Sequence, residues 1–104
     1  MARVAIDPFI LDSLMPDLVG HDRQPSAFIV YLYLYRRANG RLTRSTTASL
    51  QQMASDTGLS KSAVQQAIRT LKRRRLVQSR QQTPTAAPQY VIATPWARSP
   101  GRRP

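Results

Sequence analysis

Apolar residues recur at helical spacing in two stretches near the middle of the chain. Residues 60–75 place four apolar side chains three or four positions apart, at Val64, Ala67, Ile68 and Leu71. A shorter stretch, residues 49–57, repeats this spacing at Leu50, Met53 and Ala54. Gly58 lies between the two stretches and favours a break in the chain direction. The pattern therefore predicts two amphipathic helices joined by a turn.

A continuous apolar run occupies residues 28–35, and its composition and its context favour different structures. β-Branched and aromatic residues dominate the run, which favours a strand. The flanking residues favour a helix, because Ser26 can cap its start and Asn39-Gly40 is a common helix stop. Two arginines at 36 and 37 suit the negative C-terminal end. We predict a helix of about 12 residues, buried on most sides because it is apolar nearly all round.

Two short extended segments follow the central helices. Residues 76–80 and 89–93 read as strands, and the polar residues between them make an eight-residue connection of a hairpin. Residues 41–47 are polar apart from Leu42 and read as a connection or a short strand. Residues 97–104 are basic and proline-rich, so we expect a flexible tail.

The first 25 residues mix apolar side chains with aspartates. Asp7-Pro8 is a plausible helix start, because Asp caps free N–H groups and Pro suits the first turn. Pro16 should end or kink the helix near Leu14. We predict a short helix plus an irregular arm, too apolar to be free, that packs on the body or on a second subunit.

Charge is divided unevenly along the chain. The whole sequence has a formal charge of +11, from 16 Lys and Arg against five Asp and no Glu. Residues 1–22 hold four of the acids and one base, which gives −3, whereas the remainder holds 15 bases and one acid, which gives +14. This positive charge on residues 23–104, the body of the protein, indicates a polyanionic partner. Nucleic acid is the commonest such partner, and an anionic membrane is the alternative. Arginine dominates over lysine, which suits bidentate phosphate contacts.

Residues 50–69 resemble the helix-turn-helix signature. A small residue, Ala54, precedes the turn glycine, Gly58, by four positions, and an apolar residue, Leu59, follows it at once. A β-branched residue, Val64, comes six positions after the glycine. Only Gly tolerates the positive φ of the tight turn without cost. One departure is Thr57, where an aliphatic residue is more usual.

With the hairpin added, the chain resembles a winged helix-turn-helix domain, mainly α with a small β-hairpin (α+β). The resemblance covers a winged helix-turn-helix domain at 26–96, and it leaves an N-terminal arm with a possible dimer contact at 1–25 and a basic tail at 97–104. It further implies sequence-specific binding of double-stranded DNA, in the manner of a bacterial transcriptional regulator. Two alternatives remain open: a plasmid or phage replication-type DNA-binding module, and a winged-helix protein-interaction subunit without DNA specificity.

The resemblance assigns base reading to a recognition helix at about residues 60–75, whose N-terminal half enters the major groove. The exposed face would carry the base-reading candidates Lys61, Ser62, Gln65, Gln66 and Arg69. Gln suits adenine, Arg and Lys suit guanine, and Ser suits either. Ser60 is expected to cap this helix instead of reading bases. A wing at about residues 79–89 completes the expected interface.

Backbone phosphates would be met by a second set of side chains. The candidates flank the two central helices and the wing, at Arg41, Arg44, Arg73, Arg74 and Arg80. Phosphate contacts position a protein on DNA without reading its sequence. Positive charge at the C-terminal end of a helix also interacts favourably with the helix dipole. We therefore expect only some of the basic residues at the end of the recognition helix to contact DNA.

The sequence gives little support for a catalytic site or a metal site. The chain has no cysteine and one histidine, His21, which lacks a His or Cys partner for a metal. Aspartates at 7, 12, 17 and 22 are five residues apart, and on an α-helix that spacing puts no two on one face. We therefore expect no enzyme activity, no metal, no cofactor and no small-molecule ligand.

The remaining apolar features concern location and assembly. The longest apolar run is far shorter than a membrane span, and the N-terminus lacks signal-peptide features, so we expect a soluble, cytoplasmic protein without membrane contact.

We expect the aromatic side chains to belong to the core and to an interface, and not to a platform on which bases stack. They are the tyrosines at 31, 33, 35 and 90 with Phe28, and Trp96 should close the same core. The apolar arm predicts a homodimer.

Overall fold

The structure is a computed structural model that describes residues 3–38 and 44–96. A helical arm leads into three α-helices and three strands in the order α1, β1, α2, α3, β2, β3. Their bounds are α1 Pro25–Ala38, β1 Ser45–Thr47, α2 Leu50–Thr57, α3 Lys61–Arg73, β2 Val77–Arg80 and β3 Gln89–Ile92. No helix among the described residues is both long enough and apolar enough to cross a membrane.

The arm is helical over a longer stretch than predicted. Asp7 caps its start, because Asp7 Oδ1 accepts the N–H of Phe9 at 2.9 Å. Two π-helical stretches follow, Ile10–Leu14 and Pro16–His21. Met15 between them is also helical, so the chain is helical without a break from residue 8 to residue 21, and the irregular segment predicted after Leu14 is wrong. Pro16 is the first residue of the second stretch.

The apolar run at residues 28–35 is helical, so the context overrode the strand-like composition. Its helix α1 begins at Pro25, one residue before the predicted cap. Ser26 therefore lies in the first turn and is not the capping residue, because proline again occupies the first helical position. The predicted stop at Asn39-Gly40 lies outside the described residues.

The three strands form one antiparallel sheet in the order β1-β3-β2. The predicted hairpin pairs β2 with β3, with Val77 opposite Ile92 and Arg80 opposite Gln89. Of the two alternatives for residues 41–47, the short strand is present at residues 45–47. This strand, β1, pairs with β3 on the side opposite β2. The eight-residue connection, residues 81–88, forms the tip of this wing.

The core joins the arm to the helices and the sheet. Ile10, Leu14 and Leu18 of the arm are buried in the same apolar cluster as α1, α3 and β3. Tyr31 is fully buried at its centre, and its hydroxyl donates to the carbonyl oxygen of Ala93 at 2.8 Å. Burial raises the pKa of Tyr31 well above its ordinary value.

Aromatic side chains serve the core, as predicted. Phe28, Tyr31 and Tyr90 are buried, and burial raises the pKa of Tyr90. Trp96 packs against the cluster and stacks on Phe9, with ring centroids 4.8 Å apart. The contact ties the last described residue, four positions after the sheet, to the start of the arm, so both ends of the described chain pack on one core.

Candidate nucleic-acid interface

The two helices on either side of Gly58 each begin at a serine cap. Ser49 Oγ accepts the N–H of Gln52 at 3.0 Å at the start of α2. Ser60 Oγ accepts the N–H of Ala63 at 3.1 Å at the start of α3. The cap role predicted for Ser60 is confirmed, and the cap sets where α3 begins.

The turn between the helices closes through backbone and side-chain hydrogen bonds. Gly58 has φ 82°, and its N–H donates to the carbonyl oxygen of Ala54 at 2.9 Å. Thr57 Oγ1 donates to the carbonyl oxygen of Met53 at 2.6 Å and accepts the N–H of Leu59 at 3.3 Å. The hydroxyl of Thr57 therefore replaces the usual aliphatic contact with two hydrogen bonds that fix the turn.

Helix α3 has one buried face and one exposed face. The apolar stripe predicted for it is buried at all four positions, Val64, Ala67, Ile68 and Leu71. The five residues predicted to read bases are all exposed, namely Lys61, Ser62, Gln65, Gln66 and Arg69. Packing of α3 against α1 and α2 therefore leaves these five side chains on the solvent face of one rigid helix. Their contact with bases stays a prediction.

The exposed face of α3 carries no acidic side chain. The helix contains no Asp or Glu, and the one acid of the basic body is Asp56 on α2. Asp56 accepts a hydrogen bond from the hydroxyl of Tyr33 at 2.7 Å. Partial burial of Tyr33 and this hydrogen bond raise the pKa of its hydroxyl. The contact ties the Asp56 carboxylate to α1.

The arginines predicted to meet phosphate lie at different places. Three of them are exposed, namely Arg44, Arg73 and Arg80. Arg41 lies outside the described residues. The carbonyl oxygen of Arg44 accepts the N–H of Ile92 at 2.9 Å, which puts this residue at the end of the sheet away from the wing tip. Arg80 lies at the opposite end, beside residues 81–88.

A helix-turn-helix domain family matches residues 24–77, more than half of the chain. The chain belongs to this helix-turn-helix family. The match includes α1, β1, α2 and α3, and the remaining strands complete an α+β winged-helix fold. Neither a curated protein nor a solved structure matches the chain. Helix-turn-helix domains bind DNA and are typically not enzymes.

The fifth predicted phosphate contact of the helix-turn-helix domain, Arg74, is held by the arm. Its guanidinium contacts the carboxylate of Asp17, and its Nε lies 3.5 Å from Asp22 Oδ2. Arg74 is the C-terminal cap residue of α3 and its side chain is only 31% exposed. Arm carboxylates therefore neutralise the cation that caps α3, which distinguishes Arg74 from the exposed Arg44, Arg73 and Arg80.

The pairing of Asp17 and Asp22 contradicts the expectation that no two aspartates share a face. The expectation assumed α-helical geometry, whereas this stretch has i→i+5 hydrogen bonds, as between the N–H of Asp22 and the carbonyl of Asp17 at 2.9 Å. Residues five apart are thereby brought to the same side. His21 joins them, and the possible ligand atoms of the three side chains lie within 4.8 Å of one another. Arg74 already occupies the two carboxylates.

Arg37 has a structural role beyond the charge that the sequence predicts for it at the end of α1. Arg37 Nε donates to Thr46 Oγ1 at 3.1 Å, and its Nη2 donates to the carbonyl oxygen of Thr47 at 2.9 Å. Its guanidinium also lies over the ring of Tyr33, 5.5 Å from the centroid. Arg37 thus fastens the end of α1 to the edge strand β1. The sequence offers no local signal for this, because the contact joins residues nine and ten positions apart across residues 39–43.

The wing tip is ordered by a glutamine that the sequence did not single out. Gln81 Nε2 donates to the carbonyl oxygens of Pro84 and Ala86, at 3.2 Å and 2.6 Å. Thr83 Oγ1 accepts the N–H of Ala86 at 3.1 Å. These bonds fold residues 81–88 into a compact loop beside Arg80, which keeps that arginine at the base of a defined tip.

Proposed function

We propose that this protein binds double-stranded DNA at specific sequences and acts as a transcriptional regulator. The proposal depends on one observation above all: the exposed face of α3 carries Gln, Ser, Lys and Arg and no acid. These side chains suit base edges in the major groove, with Gln matched to adenine and Arg or Lys to guanine. The partner is DNA, so we place the protein in the cytoplasm, without catalytic activity of its own.

Contacts to the backbone would come from the arginines that remain exposed. Arg73 follows the base-reading positions on α3, and Arg80 stands at the base of the wing tip. Neither makes an ion pair with a carboxylate among residues 3–38 and 44–96. They are therefore available to displace counterions from DNA, which is the main source of its salt-dependent affinity.

A homodimer is the second part of the proposal. Apolar side chains four residues apart line the outer face of the arm, at Leu11, Met15 and Val19, and each is about 40% exposed. An exposed apolar row of this length favours association. A two-fold dimer would read an inverted repeat with half-sites about one helical turn apart.

Selection of bound duplexes from a random pool tests the proposed function. We expect one enriched site, and Gln66→Ala and Arg69→Ala should each relax preference at one base pair, by about 1–3 kcal/mol of discrimination. Gln78→Ala is the matched control, because Gln78 is exposed on β2 and is not part of α3. It should leave every base preference unchanged.

Two results would contradict the proposed function. If the two α3 variants select the same site as the wild type with the same preference, α3 does not read bases. If the wild-type protein binds DNA weakly and without dependence on salt, a protein-interaction role replaces DNA binding.

A further inference from the structure

The arm carries two sets of side chains that serve different surfaces. Two aspartates, Asp17 and Asp22, contact Arg74 at the end of α3 with their carboxylates. The other set is the exposed apolar row of the proposed dimer contact, which we call the outer row: Leu11, Met15 and Val19. Asp17 lies within the part of the arm that carries the outer row, and residues 8–21 are helical without a break. One helical segment therefore joins the proposed dimer contact to the proposed recognition helix.

The contact at Arg74 is directional, unlike the apolar packing beside it. Arg74 bonds to Asp17 through Nη2, and its Nε lies 3.5 Å from Asp22 Oδ2. Ion pairs to a planar guanidinium constrain the angle between the partners as well as their distance. Apolar contacts, such as those that bury the inner face of the arm, are non-directional. The apolar packing therefore keeps the arm on the core, and the pairing with Arg74 fixes the angle between the arm and α3.

The position of Arg74 makes this angle important for where α3 would meet DNA. Arg74 caps the C-terminal end of the helix, whereas the base-reading candidates begin at Lys61, its first residue. At a rise of 1.5 Å per residue, these two positions are about 20 Å apart along the helix axis. Over that length a tilt of about 10° moves the start of the helix by about 3.4 Å, which is the length of one base-pair step. A restraint at Arg74 therefore controls the placement of the reading end to within one base pair.

We infer that the pairing of Arg74 with Asp17 and Asp22 sets the spacing of the half-sites that a dimer of this protein recognises. In a two-fold dimer joined at the outer row, the angle between arm and α3 occurs once in each copy, and the two angles together set the distance between the recognition helices. Arg74 is thus a positioning residue that acts through the arm. The inference rests on the proposed function and deepens it, because it assigns spacing preference to residues that read no base.

Fluorescence anisotropy on a series of inverted repeats tests this inference. Each labelled duplex carries two inverted copies of the half-site that the selection enriches, with their centres about 8 to 13 base pairs apart, around one helical turn. We expect the wild type to bind one spacing about tenfold more tightly than spacings one base pair longer or shorter, because a mismatched repeat engages only one half of the dimer. Asp17→Asn and Arg74→Gln each break the pair, and each should reduce this preference to about threefold or less.

The two variants separate spacing from general electrostatics. Asp17→Asn raises the net charge and Arg74→Gln lowers it, so their overall affinities for DNA should move in opposite directions while both lose spacing preference. Asp12→Asn is the matched control, because it makes the same charge change as Asp17→Asn at an exposed arm position. Asp12→Asn should keep the spacing preference of the wild type, and Asp17→Glu, which retains a carboxylate, should keep most of it. Thermal unfolding confirms that every variant is folded at the assay temperature.

Failure of this inference is distinguishable from failure of the proposed function. If the wild type prefers one spacing and both Asp17→Asn and Arg74→Gln keep that preference, only the inference is wrong. An equal loss of affinity at every spacing would also overturn it, because that loss would reflect a purely structural role. If the wild type binds no inverted repeat more tightly than a single half-site, the proposed dimer is wrong, and this inference with it. If no duplex binds with salt-dependent affinity, the proposed DNA binding is wrong as well.

Discussion

Gly58 and Arg75 end their helices in the same left-handed backbone conformation. Gly58 has φ 82° after α2, and Arg75 has φ 60° after α3. At Arg75 the N–H bonds to the carbonyl of Lys72, and the N–H of Leu76 bonds to the carbonyl of Leu71. This is the hydrogen-bond pattern of a Schellman ending. Glycine adopts the conformation freely, whereas a residue with a Cβ is strained in it.

Replacing Gly58 by alanine should therefore destabilise the fold through the backbone alone. Among the described residues, no atom beyond those of the adjoining chain lies within 4 Å of the Cβ that alanine would add, so the positive φ is the source of the penalty. We expect Gly58→Ala to lower the free energy of unfolding by about 1–2 kcal/mol, measured by urea denaturation. Gly20→Ala is the control, because that site is equally open and has no positive φ. Equal effects of the two substitutions would contradict this explanation.

Residue-level signals account for the parts of the fold that the sequence predicts well. Ser60, Gly58 and the apolar spacing of α3 act within a few residues of chain, so their meaning does not depend on distant contacts. Thr57 shows the limit of the same reasoning, because its departure from the family pattern is explained only by two hydrogen bonds of its hydroxyl. The apolar stripe of α3 fixes which face of the helix is buried, so the sequence also predicts which face is exposed.

At the scale of elements, the arm and α3 are joined by an ion pair. Asp17 and Asp22 of the arm both face Arg74 at the C-terminal end of α3. The buried side chains Ile10, Leu14 and Leu18 hold the same arm against the core. The ion pair therefore ties a packed arm to the end of the proposed recognition helix, and the arm supports the position of that helix.

Asp17→Asn should weaken this connection. We expect the free energy of unfolding to fall by about 1 kcal/mol, because Arg74 would lose a partly buried charged partner. Asp12→Asn makes the same change of net charge at an exposed arm position and should have little effect. Urea denaturation at low and high salt measures both, and the difference between them should shrink at high salt. Equal losses at low salt would mean that general charge balance, and not the Arg74 pair, matters.

Contacts between elements are also where sequence reasoning about this chain failed. The aspartate spacing predicts no shared face on an α-helix, and the i→i+5 geometry of the arm shows that this prediction is wrong. The sequence predicts only a helix-end charge for Arg37, whereas its bonds to Thr46 and Thr47 depend on how β1 packs against α1. Neither feature has a local signal, because each requires knowing which distant element lies opposite.

At the scale of the whole molecule, the division of charge has a structural counterpart. The sequence sums to −3 over residues 1–22 and to +14 over the rest. The arm aspartates compensate Arg74 at the C-terminal end of α3, and α3 itself contains no acid. The charge of the arm is thus compensated at one end of α3, while the exposed face of the helix stays acid-free, which suits a binder of polyanions.

The outer face of the arm predicts how two copies would associate. Leu11, Met15 and Val19 are exposed in one row, while Leu14 and Leu18 on the inner face are buried. Met15→Glu places a charge at the centre of that row and should abolish a dimer formed there. We expect the wild type to sediment as a dimer at tens of micromolar, and Met15→Glu to sediment as a monomer.

DNA binding separates this effect from general damage to the fold. Ser13→Glu adds the same charge at an exposed polar position of the arm and should leave the dimer intact. On an inverted repeat, Met15→Glu should lose affinity relative to Ser13→Glu, because two linked half-sites bind more tightly than one. On a single half-site the two variants should bind equally. A wild-type protein that sediments only as a monomer would contradict the dimer, and equal binding of both variants to the inverted repeat would show that the arm does not join two copies on DNA.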